Sequence, residues 1–226
     1  MTTQVHQSPP QHPKDLDTPL SNSFASKDPK TTQYYYDQWA ASYDSDVATH
    51  DYNGPKYLVQ LCNKYVKKNG LILCIGAGTG LEGEVLHRAG YTHLHGHDGS
   101  EKMLKIAEKR GCFEECIFEL MIPNQQSKFR SAHYDAMLCV GCFVPGGLDE
   151  RYVEDMVRTL KPGGIGIIGT REVFVTDPGE PYDYHYNLDA KMHTLHKEGV
   201  CELVERARVE RYSEQMPGVF YVIRKP

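Results

Sequence analysis

The sequence predicts an α/β fold: a doubly wound, mostly parallel seven-stranded sheet that ends in an antiparallel C-terminal hairpin. Three observations predict it. Short continuous apolar runs, such as residues 71–75 and 135–140, have the size of strands buried on both faces. Segments with apolar residues every three or four positions alternate with such runs, the βαβ pattern of a sheet covered by helices on both sides. Directly after the first run comes Gly76-Ala77-Gly78-Thr79-Gly80, at the carboxyl end of a strand, where open sheets of this kind bind ligands.

The elements follow in order. Residues 1–32 are rich in Pro, Ser, Thr and Gln and have no apolar h-region, so they read as a solvated, disordered tail and not as a signal peptide. Residues 33–226 read as one domain whose first part, 33–69, is helical. Within it, Tyr35, Trp39, Tyr43 and Val47 recur every four residues and predict a helix over 34–49. Leu58, Leu61, Cys62 and Tyr65 form one stripe of a second helix over 58–66, which Asn69-Gly70 ends. The first strand, 71–75, runs into the glycine loop; a helix at 82–89 is closed by Gly90. A second strand covers 92–97, and a helix at 101–109 is closed by Gly111. Strands three and four cover 113–119 and 135–140. A helix at 150–160 is stopped by Lys161-Pro162-Gly163-Gly164, ahead of a fifth strand at 165–170. A helix at 189–198 precedes two extended segments, 200–212 and 219–224, which pair as the hairpin.

Composition excludes several function classes. The 226 residues carry 25 Lys plus Arg against 30 Asp plus Glu, a net charge of -5, which does not suit an electrostatic nucleic-acid clamp. No apolar run approaches the ~18 residues of a membrane span. Seven cysteines without an export signal read as free thiols in a reducing, cytoplasmic setting. His93, His95 and His97 alternate along a strand, yet no carboxylate or cysteine is placed to complete a metal site, so none is expected. Cys139-x-x-Cys142 ends a strand, whereas a redox pair of this spacing opens a helix.

Glycines let the backbone take positive φ and approach a ligand closely, and the helix behind the loop aims free N–H groups at the same place. Asp98 closes the second strand about 20 residues on, where a carboxylate can accept both hydroxyls of a ribose. That pairing serves dinucleotides and S-adenosylmethionine alike. A dinucleotide fingerprint starting at Gly76 needs Gly or Ala at position 81, and this chain has Leu81.

The segment LILCIGAGTG resembles the first motif of class I S-adenosylmethionine-dependent methyltransferases, and HGHDGSEKML resembles their second strand and the helix after it. YDAMLCVG resembles their fourth strand, and LKPGG the turn before their fifth. Together with YDQWAASYDSDVAT ahead of the first strand and the Lys161–Arg171 segment, these motifs are most similar to the methyltransferase-like proteins of the Williams–Beuren syndrome chromosome region group.

The resemblance implies a Rossmann-like methyltransferase fold with S-adenosylmethionine as cofactor and S-adenosylhomocysteine as product. Gly76, Ala77, Gly78, Thr79 and Gly80 pass under its methionine part and sugar; Asp98 holds the ribose. Gly99, Ser100 and Met103 line the adenine side with Leu120 and Met121, and Val140 and Gly141 complete the site. The family often carries an acidic residue near position 120, where this chain has Glu119-Leu120-Met121. Tyr35, Trp39 and Tyr43 belong to an N-terminal lid over the cofactor.

The methyl acceptor, a small molecule on this reading, belongs beyond the fourth and fifth strands, near Cys142, Phe143, Arg171 and Tyr184. Arg171 suits bidentate capture of a carboxylate or phosphate. The long loop 172–187 has the size of a functional lid, and His185 within it is the candidate general base. Two alternatives remain at this level: a nicotinamide-dependent oxidoreductase, and a non-catalytic S-adenosylmethionine-binding module.

Overall fold

A computed structural model describes residues 28–176 and 184–226. The proposed tail falls largely outside those residues, as does part of the 172–187 loop, including Tyr182.

Chain order begins with α1 (Pro29–Trp39), α2 (Tyr43–Ala48) and α3 (Gly54–Tyr65). The alternating part follows: β1 (Ile72–Ile75), α4 (Leu81–Arg88), β2 (Leu94–Asp98), α5 (Glu101–Arg110), β3 (Glu115–Phe118) and β4 (Tyr134–Val140). A 3-10 turn at Glu150–Tyr152 leads into α6 (Val153–Thr159), then β5 (Leu160–Arg171), α7 (Leu188–Lys197), β6 (Glu202–Ser213) and β7 (Met216–Arg224). The seven strands lie in the order β3-β2-β1-β4-β5-β7-β6. The first five are parallel, and β7 runs antiparallel to both β5 and β6. The order reverses between β1 and β4, so the β1 loop sits at the switch point.

Successive residues of the inner strands face opposite layers, as a sheet buried on both sides requires. Leu73, Ile75, Met137, Ile168 and Tyr221 pack in one core with Met156 and Val157 of α6 and Leu195 of α7. Ile72, Cys74, Leu138, Ile167 and Phe220 pack in the other with Leu58 and Cys62 of α3 and Leu86 of α4.

Three boundaries differ from the sequence expectation. The first helix is broken in two: Ser42 N–H bonds to the carbonyl of Trp39 (3.0 Å), and Asp46 accepts from both Trp39 Nε1 (2.6 Å) and Ser42 Oγ (2.9 Å). A buried tryptophan N–H thus draws Asp46 back across the break. Its start also lies earlier, at Pro29, because Asp28 accepts from the Thr31 N–H as an N-cap ahead of a proline. The third difference is Lys161-Pro162-Gly163-Gly164, which interrupts β5 and does not precede it. Leu160 pairs with Tyr134 and Ile165 with Ala136, so the four residues bulge out, with Gly163 at φ +77 and its N–H on the Lys225 carbonyl (2.8 Å).

Candidate functional site

The loop 76–80 holds three glycines at positive φ: Gly76 (+67), Gly78 (+55) and Gly80 (+92). Their reasons differ. A Cβ on Gly76 would lie 2.2 Å from Cys142 Sγ, so the loop is wedged against the end of β4. A Cβ on Gly80 would press on Ala107 and Arg110, so Gly80 serves close packing of the loop on α5. A Cβ on Gly78 would meet nothing within 4 Å, which leaves that face of the loop open to a ligand.

Asp98 ends β2 opposite this face. Its Oδ2 accepts from Gly78 N–H and its Oδ1 from Ser100 N–H, each at 2.8 Å. A carboxylate oxygen has two acceptor positions, so each keeps capacity for one hydroxyl donor. Burial pushes the Asp98 carboxyl up to about 6, while the Ser100 and Gly78 amides pull against it. Ser100 caps α5 through Met103 N–H (3.1 Å) and itself donates to Asp37 of α1 (2.5 Å).

A cavity of about 210 Å³ opens over these groups. Its walls are the loop, Asp98, Gly99, Ser100 and Met103, then Glu119, Leu120 and Met121, with Val140, Gly141 and Cys142 from the end of β4. Helices α1 and α2 form its roof through Thr32, Tyr36, Trp39, Tyr43 and Val47. Its far end is made by Tyr52, Glu82, Thr170, Arg171 and Tyr212. A carboxylate acceptor beside the glycine loop, an open face over Gly78 and the apolar side chains of Met103 and Met121 suit an adenosyl amino acid.

Most of the sequence-derived site residues lie on this wall: Trp39, Tyr43, Gly76, Ala77, Gly78, Thr79, Asp98, Gly99, Ser100, Met103, Leu120, Met121, Val140, Gly141, Cys142 and Arg171. Five do not. Tyr35 is replaced by Tyr36, since the cavity face of α1 runs through Thr32, Tyr36 and Trp39. Gly80 faces α5. Phe143 is fully buried in the core, its carbonyl accepting from Thr170 Oγ1 (2.6 Å). Tyr184 packs edge-on against Phe174 (5.7 Å) in a cluster with Val144, one layer behind the wall. His185 is exposed and absent from the wall, so the candidate base is misplaced: the loop is anchored by Tyr184, and the next residue points outward.

The alternating histidines have other partners. His97 is buried; its Nε2–H donates to the Glu119 carbonyl (2.8 Å), and burial depresses its pKa to about 4, so the ring is neutral. His93 and His95 pair with Glu114 and Glu115. Among the described residues no group of three or more His, Cys, Asp or Glu is arranged to hold a metal ion, and no helix is long and apolar enough to cross a membrane.

Sequence reasoning missed Glu82, Tyr52 and Tyr212. Glu82 stands in the first turn of α4, immediately behind the loop, and its carboxylate accepts from Tyr52 Oη (3.0 Å). Tyr52 reaches the site because residues 50–53 pair with the end of β6: Asn53 N–H bonds to the Tyr212 carbonyl (2.8 Å), and Glu214 N–H to that of His50 (3.0 Å). Position 82 was findable, since an acid two residues past a phosphate- or sugar-type loop stands out; the tyrosines, 160 residues apart, were not.

Comparison with known proteins agrees with this geometry. Residues 72–164 match the family model for a methyltransferase domain. Human methyltransferase-like protein 27 is 30% identical over 176 residues, 75% of this chain and 67% of that protein. The solved structure of the cyclase SpnF superposes with a TM-score of 0.68 at 17% identity, covering 89% of this chain and 98% of that one. A methyltransferase from Thiobacillus denitrificans in complex with S-adenosylhomocysteine superposes with a TM-score of 0.54 at 16% identity, over 76% and 92%. The nicotinamide alternative falls away with these matches, and the relationship to the human protein across three quarters of the sequence decides the matter: the chain belongs to the class I S-adenosylmethionine-dependent methyltransferases.

Proposed function

We propose that this methyltransferase acts on a small-molecule acceptor that enters the far end of the cofactor cavity. The observation that carries the reading is the roof. Helices α1 and α2 are tied down over the cavity at three places: Thr32 Oγ1 donates to the Gly146 carbonyl (2.7 Å), Ser100 Oγ to Asp37 (2.5 Å) and Thr79 Oγ1 to Asp44 (2.5 Å), where Arg110 also pairs with Asp44. An acceptor reaching the methyl group under such a roof must be small.

When bound, the cofactor supplies an activated methyl group for in-line displacement. The chain's own residues align and exclude water. On this reading Asp98 accepts both ribose hydroxyls, Gly78 keeps the backbone clear of the sulfonium side, and Met103, Leu120 and Met121 cover the base. Trp39 and Tyr43, 4.7 Å apart edge to face, close the top, and Arg171 at the end of β5 holds an anionic group of the acceptor. A reducing, cytoplasmic setting belongs to the same reading and is supported by seven free thiols.

The test is transfer of label from S-adenosylmethionine into a size-fractionated extract, alongside calorimetry with S-adenosylhomocysteine. Label in a low-mass fraction is expected. Label in protein or nucleic acid would overturn the small-molecule acceptor. The cyclase SpnF shares the fold, so tight cofactor binding with no label transferred anywhere would favour the non-transferring reading.

A further inference from the structure

Three oxygen-bearing side chains line the far end of the cavity in a continuous chain. Glu82 accepts from Tyr52 Oη at 3.0 Å, and Tyr52 Oη lies 3.5 Å from Tyr212 Oη, with the two rings edge to face. Tyr52 Oη also lies 3.0 Å from where a Cβ on Gly141 would stand, so the chain crosses from the start of α4 to the end of β4, directly beside the loop. We propose that Glu82, held by Tyr52, takes the proton from the methyl acceptor, and that the acceptor's nucleophile is therefore proton-bearing, a hydroxyl or a neutral amine and not a thiolate or carboxylate. The inference rests on the reading that the acceptor occupies this end of the same cavity.

The step balances. The acceptor's lone pair forms the new bond to the methyl carbon, the electron pair of the broken carbon–sulfur bond stays on sulfur, and the acceptor's proton goes to the Glu82 carboxylate. Glu82 then returns it to solvent. A base for this task titrates near the working pH. Burial raises the Glu82 carboxyl to about 7, partly offset by the Tyr52 hydrogen bond and by Arg110 of α5. One other carboxyl on the wall, Asp98, is raised as well, to about 6. Burial holds the phenols of Tyr52, Tyr212 and Tyr43 (of α2) and the thiol of Cys74 in β1 well above their ordinary values, and a hydrogen bond with Cys139, together with burial, does the same for the Cys142 thiol. Asp44 of α2 adds a like charge that pushes Glu82 further up. His50 at the rim is already paired with Glu214 (2.8 Å).

The experiment joins a direct titration to variant kinetics. The carboxyl carbons of glutamate-labelled protein saturated with S-adenosylhomocysteine are followed by NMR across pH, with Glu82→Gln assigning the resonance. A midpoint near neutrality is expected; a midpoint below about 5, the ordinary glutamate range, overturns the proposal whatever the acceptor. Calorimetry of Glu82→Gln with S-adenosylhomocysteine should stay within about threefold of the parent. A loss of tenfold or more would move Glu82 to the cofactor's ammonium group and overturn the proposal. With the acceptor fraction that takes up label, Glu82→Gln should lose about a hundredfold in kcat with little change in KM, and the acid limb of the kcat profile should vanish. Glu82→Asp should recover part of the rate, and unchanged turnover by Glu82→Gln at pH 7 is the contrary result. Failure of the parent to bind S-adenosylhomocysteine would be failure of the proposed function itself, and is distinct from all of these.

Discussion

At the scale of single residues, the site is built from groups whose burial works against their charge. On the proposed reading Asp98 accepts two hydroxyls and must be ionised to do so, yet its carboxyl is raised to about 6. Affinity for S-adenosylhomocysteine should therefore hold at pH 7–8 and fall as pH drops through about 6, as calorimetry across pH will show. Asp98→Ala should weaken it by about a hundredfold at pH 7.5, the loss of two hydrogen bonds to a charged acceptor. Glu82 carries a stability cost of the same origin. Its carboxyl rises from 4.5 to about 7, so the native state binds the proton more tightly than the unfolded chain. Stability contributed by the protonated form is thus present below 4.5 and lost as pH rises through 7, a penalty of about 3 kcal/mol above it. Glu82→Gln should gain roughly that much on the parent between pH 4 and pH 8 in denaturant titrations; a gain independent of pH contradicts it. Gly76 shows the opposite kind of constraint, that of space. Gly76→Ala should cost roughly 2–3 kcal/mol from φ +67 and the contact with Cys142 Sγ, and adding Cys142→Ala should recover only the steric part.

At the scale of elements, α1 and α2 are a roof fastened by polar contacts and little apolar packing beyond Trp39 and Ala40. Asp44 is the central fastener, bonded to Thr79 of the loop and paired with Arg110 of α5. Asp44→Asn should weaken S-adenosylhomocysteine by a few-fold, about 1 kcal/mol, and should make α1 and α2 the first site of limited proteolysis while the melting of the sheet barely moves. Added salt should mimic the variant in part, because these charges are partly exposed. A four-residue stripe through Tyr35, Trp39, Tyr43 and Val47 describes a straight helix, but the chain breaks after Trp39, where Asp46 bonds back to the indole, and the cavity face of α1 runs through Thr32, Tyr36 and Trp39. Periodicity was visible; the break after Trp39 was not.

At the scale of the whole molecule, cofactor and fold are linked. A ligand that binds only the native state stabilises it by about 2.7 kcal/mol at a hundred times its Kd. For a chain of 226 residues, S-adenosylhomocysteine at that level should raise the melting temperature by roughly 5–10 °C. Asp98→Ala at the same concentration should show almost none of that shift. The far end of the cavity depends on the sheet being complete: Tyr212 stands at the end of β6, the outermost strand, and holds Tyr52 beside the loop after β1. Truncation of the hairpin would therefore remove this end of the cavity as well as two strands.

The sequence by itself determined the strand and helix order, the position of the glycine loop at the switch point, and Asp98 across from it. Each of these is written in local pattern: a buried strand needs an apolar run, a positive-φ loop needs glycine, and a carboxylate at a strand end follows one residue after another. Tertiary structure alone decided which side chains close the cavity. Glu82, Tyr52 and Tyr212 meet there because β6 folds back onto residues 50–53, while His185 and Tyr184 are turned away by the packing of Tyr184 on Phe174. Contacts across 160 residues leave no trace in local periodicity, since the energy that makes them is that of the assembled sheet and not of either segment.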